Sequence, residues 1–118
     1  MSRDQVLKDR WDELVNKLSL QFADGDELDL DAIIYLIGVQ ESGKLHSKFK
    51  KDQKVDLMHI AICTLLERYG YYEFDYIDDD GWPHFKTKDE LPFLKPGEQS
   101  VLMKEAIVNY FLESKYIK

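Results

Sequence analysis

Cysteine is almost missing from this chain. Cys63 stands alone, so no intrachain disulfide can form and a cysteine-based zinc cage is excluded. Such usage suits a reducing compartment. Basic residues are also in deficit: sixteen Lys and Arg face twenty-three Asp and Glu, a formal charge of −7. Proteins that grip phosphate backbones need a basic surplus, so general nucleic-acid binding is disfavoured. An anionic membrane surface is disfavoured for the same reason. Long apolar runs are lacking too. The longest, Ala32 to Val39 with Gly38 counted, is far short of the roughly 20 residues that span a bilayer. The amino terminus has no apolar core followed by a small-residue cleavage site, so no signal peptide is read there. These absences predict a cytoplasmic protein with no membrane and no nucleic-acid partner. No repeat, low-complexity tract or linker interrupts the chain. Its 118 residues predict one globular domain, 1–118.

What is present is largely helical periodicity. Ser2 to Gln5 has the form of a capping box. Leu7, Trp11, Leu14, Leu18 and Phe22 then recur at three- and four-residue steps, which predicts a helix over 3–22. Asp29 or Asp31 can cap a second helix, 31–42, apolar on nearly every side and stopped at Gly43. Its all-round apolar surface suits either a central place in the fold or a dimer interface. A Lys-rich stretch, 44–52, reads as a loop anchored by Leu45 and Phe49. Asp52 is expected to cap a third helix, with Val55, Met58, Ile62, Leu65, Leu66 and Tyr69 as its apolar stripe and Gly70 as its left-handed cap. A fourth helix is expected from Pro96, with Glu98 in its first turn and Val101, Leu102, Ala106, Ile107, Tyr110 and Phe111 on its apolar face.

Residues 69–85 differ from the rest. They hold seven of the fifteen aromatic residues and five carboxylates, with no Lys or Arg. Tyr72, Phe74 and Tyr76 alternate with Glu73 and Asp75, the period of a strand. Asp80-Gly81 is a strong two-residue hairpin turn. A turn there pairs Ile77 with His84, Tyr76 with Phe85, Asp75 with Lys86 and Glu73 with Lys88. A turn centred on Asp79-Asp80 shifts those pairs. Pro83 requires an edge position. The predicted fold is therefore mainly α (α+β): four helices, with one β-hairpin of about 71–88 between the third and fourth.

Several constellations resemble chemistry. Gly38 to Lys44 matches the phosphate-loop spacing G-x-x-x-x-G-K. Leu45 then replaces the hydroxyl that would meet magnesium, and no further strand–helix units follow. That reading requires 32–38 to be a strand. Asp56, His59 and Cys63 share a helix face, an arrangement that could pair a thiol with a base, yet no oxyanion site is legible. Asp78-Asp79-Asp80-Gly81 could attract a hard cation. With Gly81 at the sixth place of a calcium loop, Tyr76 and Thr87 fall where the first and last ligands belong. It reads as an acidic turn tip, and no metal site or cofactor is expected. Trp82, His84, Asp78, Asp79, Asp80 and Tyr76 are the candidate recognition residues, because Trp and Tyr dominate binding hot spots.

Leu28 to Gln40, Leu57 to Cys63 and Gly97 to Glu105 carry a resemblance to a group of short uncharacterised bacterial proteins with no known activity. It implies a self-standing bacterial domain and supplies no functional residues. With no complete catalytic set, the sequence points to a non-enzymatic protein-interaction domain, acting as a homodimer or with an unidentified protein partner. The alternative is a small-molecule-binding protein or enzyme with a pocket near the third helix, built on Asp56, His59 and Cys63, with His84 beside them.

Overall fold

The computed structural model describes residues 3–43, 48–90 and 93–117. The element order is α1 (Arg3–Phe22), α2 (Leu30–Ser42), α3 (Lys51–Glu67), β1 (Tyr72–Ile77), β2 (Pro83–Thr87) and α4 (Pro96–Glu113). This is the predicted mainly helical fold, with its hairpin between the third and fourth helices. The chain divides into two compact units, residues 1–33 with 94–118, and residues 34–93.

In the first unit α1 packs against α4. Leu14, Val15 and Leu18 of α1 are buried, as are Ala106, Ile107, Val108 and Phe111 of α4. The expected apolar stripes are therefore displaced at their ends. Phe22 is 55% exposed and Val101 51% exposed. Val15 and Ser19 join Leu14 and Leu18 inside, so the buried stripe of α1 lies in its second half. Ser19 then organises the helix end. Its carbonyl accepts the amides of Ala23 and Gly25, and its hydroxyl accepts the amide of Leu28 at 3.0 Å. Asp29 caps α2, accepting the Ala32 amide at 2.8 Å. After α4 the chain folds back, burying Ile117, while Lys17 donates to the carbonyl of Tyr116 and lies 4.3 Å over its ring. The Ser2 end of the predicted capping box lies outside the described residues, as do Lys44 and Leu45.

The second unit contains most of α2, then α3 and the hairpin. Residues 32–38 are helix, which removes the phosphate-loop reading. Its two glycines have other work. A Cβ on Gly38 would stand 2.0 Å from the carbonyl oxygen of Leu57, so only glycine lets the α2 and α3 backbones approach this closely. Gly43 takes φ +72°, a left-handed stop after α2. Asp52 does not cap α3: the helix begins two residues earlier than that cap requires, with Lys50 at the cap position and the Lys50 amide donating to Gln53 Oε1 at 2.8 Å. The buried face of α3 is Leu57, Ile60, Ala61, Cys63, Leu65 and Leu66, so it is rotated from the predicted stripe and leaves Val55 67% exposed.

The hairpin register is corrected as well. Observed partners are Tyr72–Thr87, Glu73–Lys86, Phe74–Phe85, Tyr76–His84 and Ile77–Pro83, with Asp75 bulged between the third and fourth pairs. The loop is three residues, Asp79 to Gly81, closed by the Asp78 amide on the Trp82 carbonyl and the Gly81 amide on the Asp78 carbonyl, both 3.0 Å. A two-residue turn on Asp80-Gly81 needs positive φ at both positions. Asp80 does not supply it; Gly81 alone does, at φ +86°. The deciding group is Asp78, whose Oδ1 accepts the amides of Asp80 and Trp82 at 2.9 and 3.0 Å. That local side-chain bonding favours a type I turn followed by a left-handed glycine.

Candidate functional site

The hairpin docks on α3 through both strands. Glu67, at the end of α3, helps to fix the join by accepting the Phe74 amide at 2.9 Å. The Lys88 amide donates to Tyr71 at 2.9 Å and closes the open end. Where β2 faces α3, a cleft of about 340 Å³ remains. Gln53, Asp56, His59 and Ile60 line it from the helix; Asp78, Trp82, Pro83, His84 and Phe85 line it from the hairpin. Two sets of residues that are separate in the sequence therefore meet in one place. Asp56 and His59 join Asp78, Trp82 and His84. Asp79 and Asp80 are exposed at the tip, outside the lining.

His84 is held firmly. Its Nε2 lies 2.7 Å from Asp78 Oδ2, and its ring stacks on Tyr76 at 4.6 Å and 3°. Asp78 is held below its ordinary carboxyl value, first by the His84 hydrogen bond and then by the Trp82 amide. An ionised carboxylate only accepts, so the His84 proton sits on Nε2 and Nδ1 is left to other partners. Trp82 is half-buried and meets Phe49 edge-on at 6.3 Å, and Phe49 in turn meets Tyr35 at 6.5 Å. Phe49 thus ties residues 48–50 to the cleft wall. Lys86 pairs with Glu73 at 3.1 Å, rather than with Asp75, and its pKa is raised chiefly by that hydrogen bond.

Cys63 is buried with its sulfur 3.5 Å from His59 Nε2. Burial pushes its thiol up to about 11, so at neutral pH it stays protonated, and it does not line the cleft. Among the described residues, no group of three or more His, Cys, Asp or Glu is placed to hold a metal ion. No described helix is long and apolar enough to cross a membrane.

Large apolar side chains stand outside beside the cleft. Phe74 is 49% exposed, Tyr76 51% and Ile77 62%. Phe74 meets Phe85 edge-on at 6.0 Å and Tyr76 stacks on His84; both partners line the cleft, so these rings adjoin its rim. The predicted apolar face of β1 is thus only partly turned inward, because the bulge at Asp75 breaks the alternation. Gln53 and Ile60 were not among the sequence candidates. The signal for them is the row Gln53, Asp56, Ile60 at helical spacing, which competes with the more conspicuous Asp56, His59, Cys63.

A second, larger hollow of about 600 Å³ lies in the first unit and includes Trp11, Asp12, Glu27, Asp29 and Lys104. Lys104 lies 5.5 Å over the Trp11 ring, so a cation of the chain itself covers the indole in this hollow. No family model, curated protein or solved structure matches the chain.

Proposed function

We propose that this protein is a non-enzymatic interaction domain whose contact surface is the hairpin with the first turns of α3. The observation that carries this reading is the exposure of Phe74, Tyr76 and Ile77 on one short strand, next to a cleft with an aromatic wall. Phe74 and Ile77 stand opposite Phe85 and Pro83 on one face of the hairpin and Tyr76 opposite His84 on the other; exposed apolar side chains of this size mark contact surfaces. The cleft offers a histidine oriented by a carboxylate, yet among the described residues no nucleophile and no pair of donors aimed at a reacting oxygen accompany it. Selection of a displayed random-peptide library on the immobilised protein tests this. Binders whose affinity drops at least tenfold on Phe74→Ser or Ile77→Ser are expected. If binders fail to emerge, or all of them ignore both substitutions, the reading is wrong.

One observation favours a second reading, a small-molecule site. The cleft volume lies at the lower end of ligand pockets and gathers His59, His84, Asp56 and Asp78 around Trp82. A fragment screen followed by NMR would support it if hits shift the Trp82 indole and both imidazoles together. Hits scattered over the surface would remove it.

A further inference from the structure

Exposed charges of both signs flank the cleft, with Asp52 the one carboxylate inside the basic run. On the acidic side, Asp56 has no hydrogen-bond or ion-pair partner among the described residues, and Asp79 and Asp80 stand exposed at the hairpin tip. On the basic side, Lys48, Lys50 and Lys51 are exposed, with no carboxylate partner among the described residues. The two sides are joined physically. Phe49, between Lys48 and Lys50, packs on Trp82 of the cleft wall, and Lys50 lies one turn before Gln53 in the row that continues to Asp56.

A patch with complementary charges side by side is what a two-fold contact requires, because each copy must present to its partner what the partner presents to it. The cleft also has a chemical preference. Trp82, Pro83, Phe85 and Ile60 offer apolar walls, and Asp56 offers an unpaired charge. Together they suit a side chain with a long aliphatic stem and a cationic end. Lysine has that form, and about 340 Å³ accommodates it.

Resting on the interaction reading, we infer that the partner is a second copy of this chain: the Lys48–Lys51 segment of each copy lies over the other's cleft, a lysine ammonium reaching Asp56. Phe74 and Ile77, paired with Phe85 and Pro83 of the cleft wall, are covered in the same contact.

Sedimentation equilibrium on the full chain tests this with two charge-reversed variants. One carries Asp56→Lys. The other carries Lys48→Glu, Lys50→Glu and Lys51→Glu. Circular dichroism confirms that each is folded. Wild type should be a dimer that weakens as salt rises, and each variant alone should dimerise at least tenfold more weakly. Mixing the two should restore dimer, because the mixed pair carries opposite charges at both contacts. Wild type that stays monomeric up to high micromolar concentration would overturn the inference, as would a dimer indifferent to both variants or a mixture that does not recover. If wild type is monomeric while library peptides still depend on Phe74 and Ile77, the dimer fails and the interaction reading stands. If those peptides are missing too, both fail.

Discussion

Gly38 and Gly43 show how two glycines of one apparent motif do unrelated jobs. Gly38→Ala pushes a methyl group into the Leu57 carbonyl, and backbone cannot yield as a side-chain tip can. A loss of about 2–3 kcal/mol in unfolding free energy is expected from urea titration. Gly43→Ala meets no atom within 4 Å and costs only the left-handed backbone strain, about 1 kcal/mol. Equal losses would contradict the close crossing of α2 and α3. Cys63 gives a second prediction. Its thiol, raised to about 11 from an ordinary 9.0, should react with a disulfide reagent about a hundredfold more slowly in the folded chain than in urea at pH 8, from thiolate fraction alone. The sequence shows that Cys63 and His59 are near each other. It does not show that the sulfur faces inward, because the buried face of α3 is built on Leu57 and Ile60, whereas Val55 and Met58 offer a competing apolar face of similar size.

The hairpin is the element on which recognition turns, and Asp78 shapes it. A carboxyl held below its ordinary 3.8 stabilises the fold at pH above that value, and the contribution is lost as pH falls through the lower folded value. Hydrogen exchange of the hairpin amides should therefore be slower in wild type than in Asp78→Asn at neutral pH, with the difference shrinking below about pH 4. A difference that persists unchanged in acid would mean the carboxylate is not the deciding group. The existence of this hairpin was legible from the alternation of Tyr72, Phe74 and Tyr76 and from the turn residues. Its register was not. Asp80-Gly81 advertises a two-residue turn, and the advantage of an Asp three places before a left-handed glycine appears only when its side chain can reach two amides. The resulting loop length, with the bulge at Asp75, changes which side chains are left outside.

At the scale of the molecule, four helices and the hairpin followed from periodicity, caps and stops, because each local preference agrees with the final element. Some helix ends moved by a residue or two, the stripe of α3 rotated, and those of α1 and α4 were displaced at their ends, because burial depends on neighbours distant in the chain. The candidate site was legible as two unrelated lists. Asp56 and His59 belonged to one, Asp78, Trp82 and His84 to the other. Nothing local joins them, since the join is the docking of β2 on α3. What unites the account is that this docking leaves Phe74, Tyr76 and Ile77 on the outside of a folded chain, beside an unpaired Asp56.

Proton relaxation of those three side chains by a neutral soluble gadolinium chelate tests that claim most directly, measured at low and at high micromolar protein. Strong broadening of Phe74, Tyr76 and Ile77 is expected in the dilute sample, with loss of that broadening for Phe74 and Ile77 in the concentrated one, while exposed Phe22 and Leu20 are broadened equally in both. Protection of the three in the dilute, monomeric chain would contradict it, because the hairpin would then turn its apolar side chains inward and leave no surface to share.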